Sequence, residues 1–175
     1  DNSVRENYLF NSSINGIEET DLILLIGSNP RSEATMVNAR IRKAYLNNNT
    51  EIISLNNVGD LTYPYKFLDG KTQTIKDIAE NKNEVSKKII ISKKPMIILG
   101  ESFLNTKAAN FLFYSLKKFL LQSNKFTDEW NPLNLLSTDA ATVGNFDLDI
   151  INQKENLIKD LKENKFELIY LLGQD

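Results

Sequence analysis

The feature that most constrains the fold is a short run of consecutive apolar residues that is followed by glycine and then by polar residues. It occurs over residues 21–30, 95–102 and 167–175. A strand whose successive residues are all apolar is buried on both faces, which is typical of a parallel sheet. A further apolar run predicts a strand over residues 51–55.

Helical patterns separate these strands. Apolar residues recur at helical spacing over residues 33–46, 73–91, 107–122 and 149–164. The third pattern is the clearest, and its apolar stripe consists of Ala108, Leu112, Leu116 and Leu120. We expect Phe111, Phe113 and Phe119 to widen the buried face of this helix. Strands that alternate with helices predict right-handed crossovers and an α/β fold with open, doubly wound, mostly parallel sheets.

The polar stretch at residues 81–94 predicts a seam between two α/β units. We expect a first, partial unit over residues 1–84 and a second unit over residues 85–175, truncated at Asp175. Residues 126–145 lack clear periodicity, but they contain Trp130 and several leucines and are predicted to be an ordered excursion. Because the chain stops directly after a predicted strand, we expect it to be a section of a longer polypeptide.

The composition excludes several kinds of chemistry. The chain contains no cysteine and no histidine. It therefore builds no disulfide, no cysteine-ligated cluster and no Ser-His-Asp or Cys-His catalytic site. Its 21 basic and 23 acidic residues leave a net charge of −2, which argues against a nucleic-acid partner. An apolar stretch of about 18 residues, as a membrane-spanning helix requires, is also lacking.

The best candidate for a ligand site is the turn Gly27-Ser28-Asn29-Pro30, which follows a predicted buried strand and precedes a helix. Ligands of open α/β sheets bind at the carboxyl ends of strands, where glycine permits a close backbone approach. The dinucleotide fingerprint G-x-G-x-x-G is missing. A tight turn without a ligand and a nucleotide or phosphate site both fit these residues.

Three other motifs have simpler explanations. Residues 69–72 read Asp-Gly-Lys-Thr, but Tyr65 replaces the first glycine of a phosphate-binding loop, so we interpret them as a solvated turn. Asp147 and Asp149 suit a helix N-terminus better than a divalent cation. A basic cluster is interpreted as a solvated face and consists of Lys87, Lys88, Lys93 and Lys94.

The order of segments resembles the molybdopterin-oxidoreductase family, in the branch found in the large iron–sulfur subunit of respiratory complex I. Four passages carry the resemblance in order, at residues 8–21, 27–43, 60–65 and 130–148. They include the turn Gly-Ser-Asn-Pro-Arg at residues 27–31 and the motif Trp-Asn-x-x-Asn-x-Leu at residues 130–136. The resemblance implies the fold of the formate dehydrogenase domain type over nearly the whole chain.

The resemblance also assigns a role to the candidate turn. In molybdenum enzymes of this fold, the positions of Gly27, Asn29 and Pro30 help to hold the nucleotide part of the pterin cofactor. A loop after the second strand normally offers an Asp-Pro-Arg-type stretch to the same cofactor, whereas this chain has Leu-Asn-Asn-Val-Gly-Asp at residues 55–60. The resemblance therefore implies a vestigial, empty nucleotide turn, no metal site and no catalytic residue in this section.

For the parent protein, the resemblance implies an NADH–quinone oxidoreductase that passes electrons from NADH through FMN and iron–sulfur clusters to quinone. Its [2Fe–2S] and [4Fe–4S] clusters would be held by cysteines in an amino-terminal region. The partners implied are other subunits of the peripheral arm, on the cytoplasmic face of a bacterial inner membrane or on the matrix side of the mitochondrial one.

Two other functions stay open from the residues alone. The chain could be a section of a molybdenum or tungsten enzyme that still binds a pterin nucleotide through the turn at Gly27. It could also be a free-standing α/β module that binds a nucleotide or a small anion.

Overall fold

A parallel sheet of five strands organises the chain. In the computed structural model, which describes residues 4–148 and 154–169, the strands occur in the order β3-β2-β1-β4-β5. Their bounds are β1 Leu22–Ile26, β2 Glu51–Ser54, β3 Lys66–Phe67, β4 Pro95–Gly100 and β5 Leu133–Leu136. Each neighbouring pair is parallel. The predicted α/β class with an open parallel sheet is confirmed.

Helices of very different lengths connect the strands. The α-helices are α1 Pro30–Glu33, α2 Thr35–Asn48, α3 Thr72–Ala79, α4 Glu84–Ile91, α5 Glu101–Leu104, α6 Ala109–Gln122, α7 Thr142–Asp147 and α8 Lys154–Lys162. Two 3₁₀ helices, Arg5–Asn7 and Asn15–Glu19, precede β1. Among the described residues, every helix is too short or too polar to cross a membrane.

The two central strands, β1 and β4, are buried along their whole length. Alternate residues of β1 point to opposite faces, as strand geometry requires. Leu22, Leu24 and Ile26 join a core with α3, α4 and α6, whereas Ile23 and Leu25 join a second core with α2. Helices thus cover both faces of the sheet, which explains why the apolar runs are continuous rather than alternating.

The predicted boundary between residues 84 and 85 does not divide the sheet. β1 and β4, from the two predicted units, pair over five residues, from Leu22 with Pro95 to Ile26 with Leu99. The chain divides instead into the units Asp1–Ala140 and Ala141–Asp175. The polar stretch at 81–94 is a connection to the centre of the sheet: Asn83 caps α4, and its side chain accepts a hydrogen bond from the backbone N–H of Val85.

The region predicted as an excursion contains an additional strand. β5 pairs with β4 and includes Asn134, a fully buried residue. The Asn134 side chain accepts a hydrogen bond from the Ser12 N–H at 2.8 Å and donates one to the Ser12 Oγ at 3.0 Å. A polar residue inside a short apolar run hides the strand pattern, and here the amino-terminal segment satisfies that residue.

Two helix predictions also need correction. The pattern at residues 73–91 corresponds to two helices, because the chain breaks at Asn81, which has a φ of +57°. Phe113 and Phe119 are buried as expected, but Phe111 is 61% exposed and does not widen the core. Phe111 lies one position before Leu112, so its side chain is rotated away from the buried stripe.

The carboxyl-terminal predictions fall partly outside the described residues. α8 lies within the predicted helix at 149–164, but residues 149–153, including Asp149, are outside the described residues. Asp147 ends α7 rather than beginning a helix. Of the predicted strand at 167–172, residues 167–169 are described and are not in a strand, and residues 170–175 lie outside.

At the amino-terminal ends of the central strands, the Asp21 carboxylate holds the connection from α4 to β4. It accepts hydrogen bonds from the Lys93 N–H at 2.7 Å, from the Lys94 N–H at 3.1 Å and from the Ser92 hydroxyl. Partial desolvation alone would raise the pKa of Asp21. The three hydrogen bonds favour the charged form more strongly and hold the pKa below its ordinary value of 3.8.

We expect Asp21→Asn to lower the free energy of unfolding by about 1–2 kcal/mol at neutral pH, because the charged acceptor is lost. Because the folded-state pKa is depressed, this contribution is complete above the unfolded pKa and is lost as the pH falls through the folded one. Urea unfolding of both proteins between pH 2 and pH 7 measures this difference. A difference that stayed constant down to the lowest pH would contradict the assignment.

Candidate functional site

The order of strands places the candidate site at the carboxyl ends of β1 and β4. The chain leaves β1 toward one face of the sheet and leaves β4 toward the other, so these two strands form the topological switch point of the sheet. Open α/β sheets bind ligands in the crevice at this point. Gly27 follows β1, and Gly100 ends β4.

Both glycines are required by the packing of the two turns against each other. Gly27 has a φ of +64°, and a Cβ added there would lie 2.4 Å from the Phe103 backbone nitrogen. A Cβ added at Gly100 would lie 2.3 Å from the Gly27 carbonyl oxygen and 2.5 Å from the Ser28 Cβ. The missing side chains therefore make room for protein backbone, and the crevice between the two turns is closed.

The turn itself leads directly into α1. The Asn29 carbonyl oxygen accepts hydrogen bonds from the Ser32 N–H at 3.1 Å and the Glu33 N–H at 2.9 Å, while Pro30 occupies the first turn of the helix. The buried Ser28 donates its hydroxyl hydrogen to Glu33 Oε2 at 3.0 Å. α1 is only four residues long, so it contributes little helix dipole to an anion.

The loop after β2 occupies the polar groups of this turn. The Gly27 N–H donates to Asn56 Oδ1 at 3.3 Å, and Asn29 Nδ2 donates to the Val58 carbonyl at 3.2 Å. Arg31 donates to the Asp60 carbonyl at 2.7 Å and also pairs with the Asp60 carboxylate. A hydrogen bond from the Thr62 N–H and the Arg31 guanidinium lower the pKa of Asp60.

Further hydrogen bonds hold the loop in place. The Tyr65 hydroxyl donates to Asn57 Oδ1 at 3.1 Å and accepts from the Val58 N–H at 3.2 Å. On α2, Asn38 receives the Tyr63 hydroxyl hydrogen at 2.8 Å and donates to the Leu61 carbonyl at 3.1 Å. Burial raises the pKa of Tyr63 far above its usual value, so this hydroxyl remains a donor throughout the neutral range.

The space left beside the turn is small. A cavity of about 120 Å³ lies near Gly27, Asn56, Thr72 and Ser102. Ligand pockets usually measure about 300–1,000 Å³. One group in the turn lacks a partner within residues 4–148 and 154–169: Asn29 Oδ1 is buried and accepts no hydrogen bond.

The other sequence motifs have local roles. Asp69 accepts from the Lys71 N–H at 3.0 Å and from the Thr74 hydroxyl at 2.6 Å, which organises the start of α3. In the basic cluster, Lys88 pairs with Glu51, and Lys94 lies 5.4 Å from the centre of the Trp130 ring. The described part of the chain contains no group of three or more acidic, histidine or cysteine residues able to hold a metal ion.

Comparison with protein families gives a match over the entire chain. The model of the molybdopterin oxidoreductase family covers residues 1–175. The chain belongs to the molybdopterin oxidoreductase family. The resemblance predicted from the four sequence passages is therefore confirmed at the level of the family and its fold.

Curated relatives identify the branch to which the chain is similar. It is 38% identical over 173 residues to the NADH-ubiquinone oxidoreductase 75 kDa subunit of Reclinomonas americana, covering 98% of this chain and 25% of the relative. It is 37% identical over 174 residues to the mitochondrial 78 kDa subunit of Neurospora crassa, with 98% and 23% coverage. The potato (Solanum tuberosum) relative, NADH dehydrogenase [ubiquinone] iron-sulfur protein 1, mitochondrial, is 32% identical over 172 residues, with 98% and 23% coverage. The chain thus spans about a quarter of the length of these relatives.

The residues of the turn do not fit the pterin nucleotide that the family name implies. Asn56, Val58 and Asp60 already occupy the turn's main donors, and the two glycines face protein backbone rather than open space. Asn29 Oδ1 is a single unused acceptor in the turn. The predicted residues Gly27, Asn29 and Pro30 do lie together, but the cavity of about 120 Å³ beside Gly27 is smaller than a usual ligand pocket.

Sequence reasoning missed the residues that fill this site. It recognised that residues 55–60 lack the family's cofactor-binding stretch, but not that Asn56, Val58 and Asp60 bind the turn in its place. Two Asn residues followed by Gly59 and Asp60 indicate a tight, self-bonded loop. That signal does not reveal which distant donors the loop satisfies, because residues 29 positions apart are brought together only by the β1–β2 pairing.

We expect Gly100→Ala to lower the free energy of unfolding by at least about 3 kcal/mol, since the new methyl group meets backbone atoms that cannot rotate away. Gly144→Ala is the matched control: a Cβ there has no neighbour within 4 Å, and alanine favours a helix interior. Chemical denaturation of both variants measures the two effects. Equal stability of Gly100→Ala and the unsubstituted chain would contradict the close packing of the turns.

Proposed function

We propose that this chain is a structural section of the large iron–sulfur subunit of an NADH–quinone oxidoreductase, and that the section holds no redox centre. The similarity over 98% of the chain to 75 and 78 kDa subunits of this enzyme supports the assignment. So does the composition, since a chain without cysteine and histidine offers none of the usual ligands of an iron–sulfur cluster.

The observation that carries the proposal is the internal occupation of the candidate turn. In a cofactor-binding member of the fold, the polar groups at the switch point would face the ligand. In this chain, Gly27, Asn29 and Arg31 instead bind the loop at residues 56–60 through hydrogen bonds of 2.7–3.3 Å. The loop thus occupies the donors that would otherwise face a ligand.

The parent protein would belong to an oxidoreductase that transfers electrons from NADH through FMN and iron–sulfur clusters to quinone. Two of the similar proteins are named as mitochondrial, and one is named as an iron-sulfur protein. We place the parent in the peripheral arm, at the matrix side of the mitochondrial inner membrane or the cytoplasmic side of a bacterial one. The proposed partners are other subunits of that arm, which this section would support as a rigid α/β frame.

A second function has one specific observation in its favour. Asn29 Oδ1 is a buried acceptor without a donor, and an exocyclic amine or ring N–H of a guanine base is a donor of the right kind. On this alternative, the chain would be a section of a molybdenum or tungsten enzyme that binds a pterin nucleotide, with the loop at residues 56–60 displaced. The size of the cavity beside the turn argues against it.

Titration with GMP and GDP separates the two functions. We expect no binding at micromolar concentrations and neither stoichiometric iron nor flavin in the purified chain, because the turn is already occupied by the protein. Micromolar binding that Asn29→Ala abolishes would favour the molybdenum enzyme. Stoichiometric iron would contradict the proposed absence of a redox centre.

The same variant tests the structural role of the turn. Asn29→Ala removes the hydrogen bond to the Val58 carbonyl, and we expect it to lower the free energy of unfolding by about 1 kcal/mol. Ser32→Ala is the control, because among the described residues the exposed Ser32 hydroxyl hydrogen bonds only to the Asn29 carbonyl oxygen of the turn itself, at 3.2 Å. We expect it to change stability by less than about 0.5 kcal/mol. Equal losses in the two variants would mean that the contact between loop and turn contributes nothing specific.

A further inference from the structure

α6 exposes a second apolar stripe besides the one that packs in the core. Phe111, Tyr114 and Leu121 are 61%, 43% and 53% exposed. With the exposed Lys118, they are spaced by three, four and three residues along the helix. This spacing places the four side chains on one face, as at the contact positions of paired helices. We call this face, formed by Phe111, Tyr114, Lys118 and Leu121, the α6 strip.

The strip groups three exposed apolar side chains on one helix face, whereas exposed apolar residues that are normal on protein surfaces are scattered. Ten residues from Phe111 to Leu121 correspond to about 15 Å along a helix. Beside the strip, a groove of about 240 Å³ lies between α3 and α6 and is lined by Ala79, Ser115 and Lys118, among others. Contiguous apolar surface next to a groove is typical of an interaction site.

Two basic residues lie at the strip. Lys107, which is exposed just before α6, and Lys118 form no ion pair within the described part of the chain. By contrast, the half-buried Arg40 and the exposed Lys43 on α2 both pair with Glu18. A partner surface complementary to the α6 strip would therefore combine apolar side chains with carboxylates placed opposite Lys107 and Lys118.

We propose that the α6 strip docks an amphipathic, acidic segment of the parent polypeptide that lies outside these 175 residues. The proposal rests on the proposed function, in which the chain is a section of a longer subunit. The relatives are about four times as long as this chain, so roughly three quarters of such a polypeptide remains to cover its exposed faces. A covalently linked segment also has a high effective concentration, which favours it over a separate subunit.

Zero-length carbodiimide crosslinking of the full-length subunit in the assembled complex, followed by mass spectrometry, tests the proposal. The expected crosslinks join Lys107 or Lys118 to an Asp or Glu of the same polypeptide outside this section. Phe111→Glu should reduce the yield of these crosslinks at least tenfold and lower the melting temperature of the full-length subunit. Phe111→Leu keeps an apolar side chain and should leave both quantities close to those of the unsubstituted subunit. Met36→Glu is the matched control, because Met36 is 64% exposed on α2, outside the α6 strip, and should change neither quantity.

Three results overturn the proposal: crosslinks from these lysines only to other subunits, crosslinks only within the 175 residues, or none at all. The first would leave the proposed function intact, because the polypeptide would still be part of the assembled complex. A separate measurement tests the proposed function. If that function is wrong, the full-length polypeptide does not copurify with NADH–quinone reductase activity.

Discussion

The parallel pairing of β1 with β4 is the constraint on which the rest of the structure depends. These strands are buried on both faces, so each must be covered by helices on two sides. Their pairing also brings the turns that follow Ile26 and Leu99 side by side. Two turns that meet at this distance can coexist only if both begin with glycine, and Gly27 and Gly100 meet that requirement.

Both glycines also lie at the candidate ligand site. A glycine at the end of a central strand permits close approach by a cofactor or by protein, and the sequence alone does not distinguish the two. Here Gly27 faces the backbone of Phe103, and its N–H binds Asn56. The loop after β2 therefore occupies the Gly27 N–H and the Asn29 amide with internal hydrogen bonds. Most of the turn's polar groups are thus satisfied within the protein, as buried polar groups usually are.

The central strands and most helices were predictable because their signals are local. β1 and β4 are continuous apolar runs, and the buried face of α2 follows the spacing of Val37, Ile41 and Ala44. β5 was not predictable in this way, since Asn134 interrupts its run and is satisfied by Ser12, 122 residues away. The predicted boundary between residues 84 and 85 has a similar origin, since a polar connection resembles a linker until the pairing of β1 with β4 is known. The candidate turn was located from its residues, but the loop residues that bind it are set by the register of β1 against β2.

The misassignment of Phe111 shows what a sequence pattern cannot separate in a section of a larger protein. Apolar residues on two faces of one helix look like a single broad stripe. Only the position of α6 against α3 shows that Leu112 and Leu116 face the core, whereas Phe111 and Leu121 do not. A helix that is apolar on its outer face is usually covered in its complete protein. The exposed face of α6 is therefore informative in itself: it marks a part of the surface where the chain is suited to contact another polypeptide segment.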